Sequence, residues 1–295
     1  MLDQPPAPSF DATLTRMYQR TGVDRLPAHL EEVFGITVAK IRQLDVGVFR
    51  VDRVKATPLL VRLFSERRPH AGALGDLAVL RQLQAAEFPA ERPFGTEPLS
   101  IHEGQSVLVT DFVRAAPKSA APARPVMALG ALVGRLHKLA LPTGAADRPA
   151  GALHHFAEGT PADELGAARL WLQDIEPRVA AVDRDQLGAL RRALEDADDA
   201  SDLPEAFVHP DPVPKNTFFT RDGPVLVDWA GAGRGPRLAS LALVLRSSWA
   251  GRPFMRGYAT QVELEADERR RAADVLMIRP LVDIAFRVCR EPAKV

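Results

Sequence analysis

Between Ala206 and Trp229 the chain reads AFVHPDPVPKNTFFTRDGPVLVDW. An apolar lead-in, Phe207-Val208, runs into His209-Pro210-Asp211, and Asn216 follows five positions after Asp211. A polar turn, Arg221-Asp222-Gly223-Pro224, then leads to the apolar run Val225-Leu226-Val227 and to Asp228. Loop, strand, turn and strand would bring two carboxylates and one amide to one edge of a hairpin. Hard oxygen donors placed so suit a magnesium ion and the orienting of a hydroxyl for phosphoryl transfer. Taken singly, Asp211 serves equally as a turn residue between prolines, Asn216 as a cap, and Asp228 as a cap near Gly231 and Gly233. Their joint spacing carries the argument, together with the need of a carboxylate at the end of a buried strand for a partner or a metal.

A chain of 295 residues, 46% hydrophobic and 26% charged, is long enough for one or two structural units with a packed core. Lys+Arg and Asp+Glu both number 38, so no basic excess points to nucleic acid. A single cysteine, Cys289, excludes an internal disulfide framework and a cysteine-rich zinc site, and fits a reducing cytoplasm. The start, MLDQPPAPSF, has neither the basic residues nor the apolar run of a secretory signal, and no stretch reads as a membrane span.

Helical spacing or composition predicts short helices over 11–21 and 26–34 and an amphipathic helix over 73–87, with Leu74, Leu77, Leu80 and Leu83 in register. Alternation predicts a strand over 36–44, and further short strands are expected over 48–51, 58–64, 97–101 and 107–113. Residues 114–125, RAAPKSAAPARP, have linker composition. Beyond them, helices are expected over 126–139, 161–179, 183–199 and 236–250, and a last one over 263–288 broken at Pro280. Gly47, at the first turn, is a plain hairpin glycine or one that lets the backbone approach a phosphate. Arg62 lies inside an apolar strand, reaching inward to an anion or snorkelling outward. Asp76 on the following helix could pair with it. His209 reads better as a loop-bracing histidine than as a base, because Asp211 is better placed for that role. His137, His154 and His155 have no HExxH or cysteine partner at zinc spacing, and no serine sits in a GxSxG context.

His209-x-Asp211-x-x-x-x-Asn216, followed by Val227-Asp228-Trp229, resembles the catalytic loop and metal-binding strand end of the aminoglycoside phosphotransferase and choline kinase-like group, relatives of the protein kinases. The resemblance extends over roughly residues 36 to 250 and includes MALGALVGRLHKL, 127–139. It implies an α+β, bilobal, protein kinase-like fold: a small antiparallel-sheet lobe over 1–113 and a mainly helical lobe over 114–295. It also implies ATP- or GTP- and Mg²⁺-dependent phosphorylation of a hydroxyl on a small molecule, by a monomer or homodimer, with no nucleic-acid or membrane partner. The acceptor stays open among an aminoglycoside or other antibiotic, a sugar, an amino alcohol and a biosynthetic intermediate. By the same resemblance Asp211 is the catalytic aspartate, Asn216 and Asp228 hold Mg²⁺, and Arg62 touches the α/β-phosphates. Asp76 orients Arg62, Gly47 approaches the phosphates, and the backbone of Asp111 and Val113 meets the adenine. Asp163, Glu164, Glu263 and Glu265 are candidates for holding the acceptor.

The sequence also departs from that pattern. Pro210 replaces a glycine, Pro212-Val213-Pro214-Lys215 replaces the usual intervening residues, Asp76 is shorter than the usual glutamate, and Ser240 stands where an aspartate normally braces the loop. The prolines stiffen the loop. These changes motivate a second reading, a kinase-like binding protein with little or no transferase activity.

Overall fold

The computed structural model describes residues 9–116, 123–151, 159–178, 184–246 and 250–290. The sheet-bearing part begins after a first helix, α1 (Phe10–Tyr18). It comprises α2 (Leu26–Phe34), β1 (Val38–Asp45), β2 (Val48–Arg53), β3 (Leu59–Leu63), α3 (His70–Ala85), β4 (Leu99–His102) and β5 (Gln105–Asp111). All strand pairs are antiparallel, in the order β1-β2-β3-β5-β4. The helical part holds α4 (Ala123–His137), α5 (Pro161–Ile175), α6 (Arg184–Glu195), β6 (Glu205–Val208), β7 (Thr217–Thr220), β8 (Gly223–Leu226) and β9 (Gly233–Pro236). It ends with α7 (Arg237–Ser240), α8 (Ala242–Leu245), α9 (Gly251–Tyr258), α10 (Ala266–Val275) and α11 (Ile278–Arg290).

The period of two in β3 sorts its side chains onto two faces. Leu59, Val61 and Leu63 join Phe49, Val51, Val107 and Val109 under Leu26 and Leu30 of α2. Arg62, in register with Leu108, points to the other face, toward α3. Leu77, Leu80 and Leu83 of α3 belong to the core that runs on into the helical part through Leu129, Phe207, Trp229 and Tyr258. The helix following the third strand is therefore fixed to both parts.

Three expectations need correction. The single helix expected over 236–250 is divided: Leu241 N–H bonds Leu238 C=O at 3.0 Å, a tightened turn that separates α7 from α8. The break in the last helix falls at Leu276–Met277, and Pro280 sits in the first turn of α11, where its missing N–H costs no intrahelical bond. Helix α9 was not foreseen, because Gly251, Pro253 and Gly257 argue locally against a helix. A Cβ at Gly257 would strike the Met127 carbonyl, and one at Gly130 the Phe254 carbonyl, so α4 and α9 cross in backbone contact. Tertiary packing outweighs propensity there. Asp183, His154 and His155 lie outside the described residues.

Candidate active site

Arg62 and Asp228 line one cleft with Gly47 and Leu63. Arg62 is 7% exposed, and its Nη1 donates to Glu91 Oε2 at 2.8 Å. Thr110 Oγ1 donates to the same carboxylate oxygen at 3.1 Å, and Asp228 N–H to Glu91 Oε1 at 2.9 Å. Glu91, itself 2% exposed, thus binds β3, β5 and the strand end that carries Asp228. Burial works against the Arg62 charge, but Glu91 and then Asp228 outweigh it and raise the pKa. Arg62 Nε is buried and has no hydrogen bond among the described residues. Asp228 Oδ1 stands 3.7 Å from it.

The hairpin is held from below by His209, fully buried against Trp229 with ring centroids 4.7 Å apart. Its Nδ1 accepts from Asp211 N–H at 3.0 Å, so the proton sits on Nε2, which donates to Val227 C=O at 3.0 Å. This tautomer is neutral, and burial lowers the imidazole pKa against the pull of Asp228. His209 therefore braces the loop. Ser240 does not: its hydroxyl donates to Arg237 C=O at 2.8 Å and lies 3.4 Å from His137 Nε2.

Asn216 Nδ2 donates to Asp211 C=O at 3.0 Å and to Asp211 Oδ2 at 3.1 Å, turning its amide oxygen the other way. Val227 N–H donates to Asn216 C=O at 3.0 Å, which sets Asn216 beside the strand end of Asp228. Lys215 Nζ pairs with Asp211 Oδ2 at 3.0 Å. Asp211 Oδ1 is buried and unpartnered among the described residues. Asp228 has φ 69°, a left-handed backbone that costs a non-glycine residue about 1–2 kcal/mol and recurs at functional sites. Its side chain is 49% exposed toward the cleft. Its carboxyl pKa is raised, first by lost water; Arg62 and His209 oppose the rise, while Glu91 and Asp211 add to it. A cation here would relieve that crowding. The oxygen donors of Asp211, Asn216 and Asp228 fit a hard divalent ion. Among the described residues no three His, Cys, Asp or Glu side chains form a metal cluster, so the amide is a necessary part of any such set.

The expected Arg62–Asp76 pair is not formed. Asp76, 1% exposed, takes Arg68 Nη1 on Oδ2 at 2.7 Å, and Arg148 Nη2 and Gly231 N–H (3.3 Å) on Oδ1. Arg68 and Arg148 outweigh burial and hold its pKa below the usual carboxylate range. The shorter side chain is taken by a different set of arginines, and Glu91 supplies the partner of Arg62. Asp111 N–H is likewise already bonded, to Arg92 C=O at 2.8 Å. Val113 N–H meets no backbone acceptor among the described residues. Gly47, with φ 68°, admits no side chain, since a Cβ would collide with Leu63 C=O and the Arg20 guanidinium. Asp163 and Glu265 close capping boxes, and Glu164 pairs with Arg279 at 3.2 Å. A shallow depression beside Pro210 is lined by Ala150, Pro161, Glu164, Ile278 and Arg279.

A sequence model of the phosphotransferase enzyme family matches residues 41–274. The chain belongs to that family. The family's match spans β1 to α10 and so takes in Arg62, Glu91 and the whole 206–229 hairpin. No curated protein matches the chain. Among solved structures, it is similar to a spectinomycin phosphotransferase in complex with ADP and spectinomycin (TM-score 0.64, 13% identity, 92% of this chain and 88% of that one). It is similar to an amicoumacin kinase in complex with AMP-PNP and Ca²⁺ (0.63, 14%, 88% and 84%). A choline kinase from Streptococcus pneumoniae also resembles it (0.62, 12%, 92% and 92%). The five-stranded antiparallel sheet followed by a mainly helical part is the kinase-like fold of these structures.

Glu91 was missed in the sequence because it lies in a proline-flanked loop, FPAERP, with no periodicity to mark it as inward. Arg148, in an equally irregular stretch, was missed for the same reason.

Proposed function

We propose that this phosphotransferase moves the γ-phosphoryl group of ATP, with Mg²⁺, to a hydroxyl group of a small molecule. The observation that carries the reading is Asp211. Its carboxylate is fixed by Asn216 on a loop locked to neutral His209, and it keeps one buried oxygen, Oδ1, without a hydrogen-bond partner among the described residues. The carboxylate orients the acceptor O–H and takes its proton as the acceptor oxygen bonds to the γ-phosphorus and the bond to ADP breaks. Arg62, held charged by Glu91, faces the α/β-phosphates. Asn216 and Asp228 hold Mg²⁺, which when bound neutralises charge on the phosphates. The adenine lies against the 111–113 segment, where Val113 N–H meets no backbone acceptor among the described residues. The acceptor enters beside Pro210 and belongs to the classes handled by the similar structures, a hydroxyl-bearing antibiotic or amino alcohol, or a related sugar or biosynthetic intermediate.

The test compares the wild type with Asp211→Ala in ATP titrations and in ADP release with a panel of acceptors. The variant should keep nucleotide affinity and lose transfer; unchanged turnover removes Asp211 from the reaction. The Lys215–Asp211 ion pair favours a second reading, in which the chain binds nucleotide and transfers little. Under that reading ATP binds and no acceptor of the panel releases ADP from the wild type, while Lys215→Ala, which frees Asp211 Oδ2, raises release.

A further inference from the structure

Helix α1 packs on the helical part of the molecule, although the sheet follows it in the chain. Phe10 is 1% exposed and meets Trp171 and Phe286 edge-on, with ring centroids at 5.8 and 5.6 Å. Leu14 and Met17 join the same cluster. Directly after the helix the chain crosses to the sheet. Thr21 N–H donates to Gln105 Oε1 at 3.1 Å, and Gln105 Nε2 donates back to Thr21 C=O at 2.8 Å. His102 Nε2 bonds Gly22 C=O at 2.8 Å. Residues 10–22 therefore strap the two parts together by a path separate from the 111–116 connection.

At the crossing, Met17, Tyr18 and Arg20 form one wall of the cleft that holds Gly47, Arg62 and Asp228, a space of 220 Å³. Arg20 is pinned by backbone carbonyls alone: Nε to Leu63 C=O at 2.5 Å, Nη1 to Met17 C=O at 2.9 Å and to Gln19 C=O at 2.7 Å. No carboxylate pairs with it among the described residues, and Arg68 is the charge that acts on it. Burial, then Arg68, push its pKa down to about 10. Its seat exists because residue 47 is glycine, whose Cβ would strike Arg20 Nε. A guanidinium partly removed from water beside another cation, and given no anion by the described residues, is stabilised by an anion from outside.

We propose that Arg20 is a second polyphosphate-binding cation of the cleft, delivered by the 10–22 strap, so that a bound nucleotide's phosphates join the strap to both parts of the molecule. This rests on the cleft being the nucleotide site. It assigns to Gly47 the task of admitting Arg20, in addition to any close approach of phosphate.

The test is calorimetric titration of adenosine, ADP, ATP and inorganic tripolyphosphate into the wild type, Arg20→Gln and Arg20→Lys. Arg20→Gln should lose roughly tenfold or more in affinity for ATP, ADP and tripolyphosphate, the worth of a charge-assisted hydrogen bond, and less than about twofold for adenosine. Arg20→Lys should recover part of the loss. A strap that matters only for folding would weaken all four ligands alike, or none, and either result overturns the inference. ATP bound equally by the wild type and Arg20→Gln overturns the role of Arg20 alone. A wild type that binds no nucleotide overturns the reading of the cleft and this inference with it. Should Arg20→Gln fail to fold, hydrogen exchange of the wild type takes its place. ATP should slow exchange across residues 17–22 where adenosine does not, and equal exchange with both ligands contradicts the proposal.

Discussion

Two arginine–carboxylate clusters are buried close to the cleft, and they do different things with the same chemistry. In one, Glu91 holds Arg62, Thr110 and the Asp228 N–H, and Arg62 still carries a buried Nε without a hydrogen bond among the described residues. In the other, Asp76 is enclosed by Arg68, Arg148 and the Gly231 N–H, while Arg148 also bonds Gly72 C=O at 2.9 Å and Ala232 C=O at 3.0 Å. The first cluster opens on the cleft and ends in Asp228. The second joins α3 to the segment after Asp228 and to the loop before α5. A buried ion pair is a poor source of net stability, but removing one partner is costly because the other is stranded. The open cluster therefore suits a charged ligand, and the closed one fixes the angle between sheet and helices.

Substitutions can break this contrast, and the largest effect should come from the closed cluster. Asp76→Ala takes the carboxylate away from two buried arginines and should cost about 3–5 kcal/mol of folding stability, read from denaturant midpoints. Its nucleotide affinity should stay within about threefold; a tenfold loss with unchanged stability would exchange the two roles. Arg62→Met should lower turnover by about 10²–10³, as loss of a preorganised charge-stabilising donor does. Its stranded carboxylate, Glu91, should also make the protein less stable. Glu91→Gln keeps a single acceptor oxygen, for either the Asp228 N–H or Thr110 Oγ1, and loses the charge that holds Arg62, so turnover should fall roughly tenfold. Full turnover in that variant would leave Arg62 positioned by the strand alone.

His137 lies outside both clusters and gives a control with a defined sign. Burial, then Arg237, lower its pKa from 6.5 to about 3, with its Nδ1 bonded to the Tyr258 hydroxyl at 2.8 Å. The unfolded imidazole takes a proton as pH falls below about 6.5. The folded one resists until about pH 3. Stability contributed by the neutral ring is thus present above pH 6.5 and lost progressively toward pH 3. His137→Gln should flatten the dependence of the denaturant midpoint across that window, and an unchanged slope would place the pH sensitivity elsewhere. Ser240→Ala should be smallest, within about 1 kcal/mol, because its hydroxyl bonds only its own helix turn and a distant histidine nitrogen.

The contrast also marks what could be read in the sequence. Strands β2, β3 and β5 announce themselves as short apolar runs, and the bounds of α2 agree at both ends with the expected helix. Asp211, Asn216 and Asp228 are legible because a short loop and hairpin fix their separation within one local element. The partners across the fold are not. Asp76 occupies the helical position expected to serve Arg62, but the choice between Arg62, Arg68 and Arg148 is made by tertiary contacts with no local signature. Glu91 comes from an irregular loop, and Arg20 from the crossing that follows α1, a helix packed on the far part of the molecule. The neutral tautomer of His209 is set by its two hydrogen bonds across the fold, although its bracing role follows from the residue's place in the loop.

The most direct measurement is a titration of ATP with Mg²⁺ into the wild type, Arg62→Met and Asp76→Asn, each checked for folding by its unfolding transition. Arg62→Met should bind at least tenfold more weakly, and Asp76→Asn within about threefold of wild type. The reverse order, or equal losses in both variants, would contradict the assignment of the Arg62–Glu91–Asp228 cluster as the phosphate end of the site.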